Sequence, residues 1–156
     1  MRALLKIYLA GPLFTIAERR FNRELTREIG AALPRCEVIL PQLRAGKYIV
    51  DGKMDFDAIV RDCIEQIDHA DAVIAMLDGS DSDSGTAWEC GYAHARDKPI
   101  IGVRTDLRGS EDDGLNAMLR RTCRVVIAFP ATREKIRPLA REIVGAISRV
   151  FETKTH

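Results

Sequence analysis

The chain has 156 residues, 46% of them hydrophobic and 30% charged, which is typical of a globular protein and predicts a single domain over residues 1–156. With 24 basic and 23 acidic residues the net charge is +1, so nothing indicates binding to a nucleic acid polymer or to an anionic membrane. The longest apolar runs suit strands, not membrane spans. The four cysteines form no CxxC pair, which argues against a zinc site or a disulfide framework and favours reduced thiols in the cytoplasm.

Apolar runs typical of strands alternate along the chain with segments of helical periodicity. The predicted strands are residues 4–10, 36–41, 71–77, 98–103 and 124–129, and the predicted helices are 16–33, 55–69, 84–96 and 131–151. Residues 42–54 contain glycines and several charges and are predicted to form a loop. This alternation predicts an α/β fold, a three-layer, doubly wound parallel sheet of about five strands of the flavodoxin-like (Rossmann-like) kind.

The predicted fold also predicts where a ligand binds, because doubly wound sheets bind ligands beyond the carboxyl ends of their strands. The loops after Ala10, Leu77 and Val103 should therefore line one crevice. The second loop leads into DSGTAWECGYAHA, residues 83–95, with Asp83 at the start of a helix and Glu89 about a turn and a half later. Two carboxylates in one pocket suit glycosyl transfer, in which one attacks or stabilises the sugar carbon and the other manages a proton of the leaving group.

The same residues also have structural explanations. Thr86 and Glu89 match a capping box, with Thr86 as the cap and Glu89 three residues later. Asp83 fits a turn residue favoured by the helix dipole, and Tyr8 fits a core tyrosine whose hydroxyl bonds a buried carboxylate. The small residue Gly85 fits close packing of the helix on the sheet. From the local pattern alone, the structural and the catalytic explanations both stand.

Three blocks, IYLAGPLF at 7–14, DSGTAWECGYA at 83–93 and LNAML at 115–119, together resemble the nucleoside 2-deoxyribosyltransferase family in order and spacing. The resemblance implies a flavodoxin-like domain that assembles as a homo-oligomer. It also implies transfer of a 2-deoxyribosyl group from a deoxynucleoside donor to a free nucleobase, without a metal or an organic cofactor. The implied chemistry is retaining and ping-pong, through a covalent glycosyl-glutamate intermediate.

The resemblance implies roles for individual residues. Glu89 falls on the family's nucleophile, and Tyr8 on the tyrosine that orients it. Asp83 falls on the aspartate that binds the 5′-hydroxyl of the sugar near the reacting centre. Asn116 falls on the asparagine that a neighbouring subunit inserts into the pocket. The other residues expected to contribute to substrate binding are Gly11, Phe14, Gly85, Trp88 and Met118.

One position departs from the family. The family usually has an aspartate there, the proton donor to the departing base, whereas this chain has Cys63 and places Asp62 one residue earlier. An offset of one residue rotates a helical side chain by about 100°. Asp62 is the candidate general acid, with Asp55 and Asp57 as alternatives, and an exposed charge on a helix face is the structural explanation for Asp62.

Two other functions fit the sequence. The first is an N-glycosidase that hydrolyses 2′-deoxynucleoside 5′-monophosphates. Such relatives carry serines near the 5′ end of the substrate, where this chain has Asp83 and Asn116. A carboxylate a few Å from a phosphate costs about 1–4 kcal/mol, which favours a free nucleoside unless Arg19, Arg20 and Arg44 offset the cost. The second is a non-catalytic flavodoxin-like module that binds a nucleotide or a partner.

Overall fold

The computed structural model describes residues 4–108, 115–129 and 135–152. Its elements are β1 (Leu5–Ala10), α1 (Ile16–Ala32), β2 (Cys36–Ile39), β3 (Ile49–Val50), β4 (Lys53–Met54), α2 (Phe56–His69), β5 (Ala72–Met76), α3 (Ser84–Ala95), β6 (Ile100–Arg104), α4 (Ala117–Thr122), β7 (Val125–Ala128) and α5 (Ile136–Glu152). Short 3₁₀ helices at Pro41–Leu43 and Ala45–Tyr48 follow β2. Residues 131–134 of the predicted last helix and residues 109–114 of the predicted loop after Val103 lie outside the described residues.

Within the described chain, five strands form a parallel sheet in the order β2-β1-β5-β6-β7. Numbered along the chain, these strands have the order 2-1-3-4-5, which is the flavodoxin-like arrangement. The order reverses between β1 and β5, so the loops that leave these two strands open a crevice at the carboxyl edge of the sheet. The predicted doubly wound parallel sheet is confirmed.

Helices cover both faces of the sheet, and the direction of the side chains of β1 decides what each face receives. Ile7 and Leu9 lie in the core beneath α1 and α5, whereas Tyr8 and Ala10 lie in the core beneath α2 and α3. This division follows from the alternation of side chains along a strand. The alternation therefore turns Tyr8 toward the face on which α3 packs.

Two segments differ from the prediction. Residues 42–54 contain the two 3₁₀ helices and the antiparallel pair β3–β4, whose turn places Asp51 and Gly52 at φ of 51° and 75°. An Asp-Gly pair suits such a turn because both central residues adopt positive φ. Helix α4 was not predicted, since its six residues are too short for helical periodicity to show.

Two further properties concern only the described residues. None of the helices described is long and apolar enough to cross a membrane. In the same residues, no group of three or more His, Cys, Asp or Glu side chains is arranged to hold a metal ion.

Candidate active site

The candidate site is built around a hydrogen bond between β1 and α3. The Tyr8 hydroxyl donates to Oε1 of Glu89 over 2.6 Å. Tyr8 is fully buried, and Glu89 is half-buried. The fold therefore brings together two residues that lie 81 positions apart in the sequence. Oε2 of Glu89 accepts no hydrogen bond from the described residues.

The electrostatic surroundings of this pair favour a reactive carboxylate. Burial raises the pKa of Glu89 to about 7, the Tyr8 hydrogen bond lowers it, and the charge of Asp83 raises it. Burial, followed by the charge of Glu89, raises the pKa of Tyr8 far above its usual range. The Cys63 thiol lies beside the same hydroxyl, and burial raises its pKa as well. Tyr8 therefore stays neutral and donates, while Glu89 ionises near neutral pH.

Asp83 is the N-cap of α3. Its Oδ2 accepts hydrogen bonds from the backbone N–H and the hydroxyl of Thr86 over 2.8 and 2.9 Å, and Oδ1 accepts none from the described residues. Gly85 gives this cap room, because a Cβ there would lie 3.2 Å from Oδ2. The alternative capping box with Thr86 as cap is wrong. Helix α3 begins at Ser84, so Glu89 lies in the second turn and points to Tyr8.

The loop after β1 also lies at the carboxyl edge of the sheet. Gly11 packs closely on β5, since a Cβ there would lie 3.1 Å from a β5 side chain. Phe14 is 75% exposed. Arg19 donates to the carbonyl oxygens of Leu13 and Gln42, which ties this loop to the segment after β2. The loop is thus held in place while Phe14 faces solvent.

Three other predicted residues lie at the surface. Asn116 caps α4, with its Oδ1 accepting from the backbone N–H of Met118 and Leu119 over 3.0 and 3.5 Å. Met118 is 74% exposed. Trp88 is 52% exposed and stacks parallel to Tyr92, with ring centroids 5.6 Å apart. Their part in substrate binding stays a prediction.

Asp62 has a different environment from that expected of a proton donor. Arg44 donates from Nε and Nη2 to its two carboxylate oxygens over 2.7 and 2.5 Å, and Gln66 adds a third donor at 3.3 Å. The Arg44 hydrogen bonds hold the pKa of Asp62 below its usual range, although burial opposes them. An ionised carboxylate paired with arginine is a poor acid at neutral pH, so the geometry argues against Asp62 as the general acid. Of the alternatives, Asp55 caps α2 and Asp57 is exposed.

Sequence reasoning missed a group of hydrogen bonds that joins the loops after β5 and β6. Asp78 accepts from the backbone N–H of Thr105 and Asp106 at Oδ1 and from the Thr105 hydroxyl at Oδ2, over 2.5, 3.0 and 2.6 Å. Asp106 in turn accepts from the Gly79 N–H over 2.8 Å. Polar residues directly after two buried strands were the available signal. We call Asp78, Gly79, Arg104, Thr105 and Asp106 the β5–β6 clasp.

The remaining member of the clasp, Arg104, is a buried cation. Its Nη1 donates to the carbonyl oxygens of Leu77 and Gly79 over 2.7 and 3.0 Å, and its Nη2 donates to that of Arg108 over 2.5 Å. It is 5% exposed and pairs with no carboxylate among the described residues. The three hydrogen bonds of Arg104 therefore all go to backbone carbonyl oxygens of the two loops.

Comparison with known families decides the kind of protein. The family model for nucleoside 2-deoxyribosyltransferases matches residues 7–119, which include all three blocks seen in the sequence and both members of the Tyr8–Glu89 pair. The chain belongs to the nucleoside 2-deoxyribosyltransferase family. The family predicted from the three blocks is thereby confirmed, and the chain is an enzyme of this nucleoside-metabolising family.

Solved structures agree with this assignment at the level of the fold. A conserved protein from Enterococcus faecalis V583 is 27% identical, with a TM-score of 0.76 over 92% of this chain and 99% of its own. A 2-deoxyribosyltransferase from Bacillus psychrosaccharolyticus is 21% identical, with a TM-score of 0.63 over 78% and 85%. A CMP N-glycosidase from Clostridium botulinum is 19% identical, with a TM-score of 0.59 over 88% and 96%. A comparison with curated proteins returned no match.

Proposed function

We propose that this enzyme transfers a 2-deoxyribosyl group from a deoxynucleoside to a free nucleobase, with Glu89 as the nucleophile. The observation that carries the proposal is the 2.6 Å hydrogen bond from buried Tyr8 to Glu89 at the crevice predicted for the ligand. Glu89 lies past the first turn of α3 and does not cap that helix, so its fixed position does not come from a capping role. A fixed, partly dehydrated carboxylate is suited to attack a sugar carbon.

The reaction follows from the two oxygens of Glu89. Tyr8 holds Oε1, and Oε2 attacks C1′ of the deoxyribose. The C1′–N bond breaks, its electron pair leaves with the base, which takes up a proton from solvent, and an ester joins Glu89 to C1′. A nitrogen of the second base then attacks C1′, loses its proton to solvent and releases the carboxylate. Two inversions give overall retention of configuration.

The sugar and base contacts are assigned by the resemblance and by exposure. Asp83 keeps Oδ2 on its cap and offers Oδ1 to the 5′-hydroxyl of the sugar. Asn116 keeps its oxygen on the α4 cap, and its amide NH₂ serves a neighbouring subunit's site. The exposed side chains of Phe14, Trp88 and Met118 line the base pocket. The active species is accordingly a homo-oligomer.

The nature of the 5′ end separates transfer on nucleosides from hydrolysis of nucleotides. A 5′-phosphate would lie against the Asp83 carboxylate, at a cost of about 1–4 kcal/mol. Of the three cations that could offset this cost, Arg19 donates to backbone carbonyls and Arg44 to Asp62, whereas Arg20 is exposed on α1. The free deoxynucleoside is therefore the better substrate.

The test is an exchange assay with deoxyinosine and adenine. We expect deoxyadenosine and hypoxanthine with ping-pong kinetics, and a much slower reaction of deoxyinosine 5′-monophosphate. Hypoxanthine released without any deoxyadenosine would identify an N-glycosidase instead. No base release from either donor would leave a non-catalytic binding module. Full specific activity in diluted monomers would contradict the role of Asn116.

A further inference from the structure

The β5–β6 clasp uses three polar backbone groups at the start of the loop that leads to Asp83. The carbonyls of Leu77 and Gly79 accept from Arg104, and the Gly79 N–H donates to Asp106. Gly79 also has φ of 110°, and a Cβ there would lie 2.6 Å from a backbone oxygen two residues later. Because Asp83 is itself fixed by its cap, the short loop between Gly79 and Asp83 is held at both ends.

The other half of the clasp begins the loop that leads toward Asn116. Residues 104–106 supply its donors and acceptors, and Arg108 continues the network through its carbonyl and its guanidinium. The clasp therefore joins the two segments from which the proposed sugar-binding residues, Asp83 and Asn116, emerge.

The small contribution of the clasp to fold stability indicates that it has another role. A buried guanidinium that, like Arg104 among the described residues, donates only to backbone carbonyls stabilises a fold less than an apolar side chain of similar volume would. Arg104 has several donors in fixed directions, which favour one geometry of the two loops. Its main effect is therefore to define the arrangement of the loops.

We propose that the β5–β6 clasp positions Asp83 for the 5′-hydroxyl of the substrate and so determines how strongly the enzyme selects that group. Arg104 and Asp78 are positioning residues in this proposal, which rests on the proposed function. The clasp acts on binding of the sugar's 5′ end, whereas the Tyr8–Glu89 pair carries out the chemistry.

The opposite edge of the sheet offers a matched control. Nζ of Lys98 donates to the carbonyl oxygens of Asp68 and Ala70 over 2.7 and 2.8 Å, so it ties the segments that precede β6 and β5. Like Arg104, it is a long cation that donates to two backbone carbonyls beside β5, although Arg104 has a third acceptor in the Arg108 carbonyl. Lys98→Met and Arg104→Met therefore remove the same kind of contact, one remote from the proposed site and one beside it.

The experiment compares 2′-deoxyadenosine with 2′,5′-dideoxyadenosine, which lacks the 5′-hydroxyl, as donors to one acceptor base. The ratio of the two kcat/KM values measures selection of the 5′-hydroxyl. We expect Arg104→Met to lower this ratio about tenfold, the scale of one hydrogen bond to a charged group. The kcat/KM of the dideoxy donor should change little, and Lys98→Met should keep the wild-type ratio. Thr105→Val, which removes a single bond to Asp78, should lower the ratio by a smaller factor and decides the matter if Arg104→Met does not fold.

Several outcomes would overturn the proposal. These are equal slowing of both donors by the clasp variants, an unchanged ratio, an equal loss of ratio in Lys98→Met, or an active wild type that does not select the 5′-hydroxyl. In each of these the wild type is active, so the proposed function survives. An inactive wild type overturns the proposed function, and the role of the clasp with it.

Discussion

In the described chain, two regions along α3 each have a hydrogen bond from a tyrosine to a carboxylate, and the surroundings of the two carboxylates differ. Toward the carboxyl edge, Tyr8 donates to Glu89 over 2.6 Å. Toward the amino edge, Tyr92 donates to both oxygens of Asp68 over 3.1 Å. Asp68 also accepts from Arg96, which with Tyr92 holds its pKa below the usual range against the effect of burial. Glu89 forms no ion pair with a described residue, and burial raises its pKa to about 7.

The contrast separates the carboxylate that we propose as nucleophile from one with a structural environment. The amino edge has a cavity of about 480 Å³, lined by the basic residues His94, Lys98, Arg121 and Arg124 among others. A cavity of this size is not by itself a sign of chemistry. A dehydrated carboxylate held by a neutral donor from another element is the stronger sign of chemistry, because an arginine partner would neutralise its charge and make it a weaker nucleophile.

The largest expected effect separates the two carboxylates. Glu89→Gln should lower the rate of base exchange by about 10³- to 10⁵-fold, because an amide cannot form the glycosyl ester. Asp68→Asn should leave the rate within about twofold, as a remote surface change. Steady-state exchange of deoxyinosine with adenine measures both. An active Glu89→Gln variant would contradict the role of Glu89 as the nucleophile.

The second effect separates the two tyrosines. Tyr8→Phe should lower kcat/KM by about 10- to 100-fold, the scale for loss of a group that orients a catalytic residue. Its pH profile should also move. The rate rises as Glu89 ionises, with an apparent pKa of about 7 in the wild type. Since the Tyr8 hydrogen bond lowers the Glu89 pKa, its loss should shift this limb to higher pH. Tyr92→Phe is the control, and a shift of similar size there would contradict the assignment.

The third effect is on stability and has opposite signs in the two regions. The pKa of Glu89 is raised on folding, so its contribution to stability is present below about 4.5 and is lost as the pH rises through about 7. At pH 8, Glu89→Gln should therefore be more stable than the wild type by about 1–3 kcal/mol. The pKa of Asp68 is lowered, so Asp68→Asn should lose stability at that pH. Chemical denaturation at pH 4 and pH 8 tests both signs, and a destabilised Glu89→Gln at pH 8 would contradict the first.

The smallest effect concerns Asp62. Because Arg44 keeps this carboxylate ionised, Asp62→Asn should change kcat/KM by about threefold or less across the pH range. Thermal unfolding should show a modest loss of stability from the weakened Arg44 pair. A loss of about 100-fold or more in the variant would restore Asp62 as the proton donor.

Much of the fold was predictable because its signals are local. Continuous apolar runs and helical periodicity marked the five parallel strands and the long helices to within a few residues. The β3–β4 pair and α4 were not predicted, because strands of two residues and a helix of six residues are too short to show a period. The blocks that carry Tyr8 and Glu89 also indicated the family before any contact was known.

The sequence alone determined which residues carry polar chemistry and at which strand ends they emerge, since both follow from neighbours along the chain. Only the tertiary structure decided their partners. Asp83 and Thr86 are both good helix caps, and in the structure Asp83 takes the cap while Glu89 accepts from Tyr8, 81 residues away. Arg44, which lies 18 residues before Asp62, keeps that carboxylate ionised and so argues against Asp62 as the general acid. Hydrogen-bond partners and pKa values depend on distances in space, and local periodicity does not encode those distances.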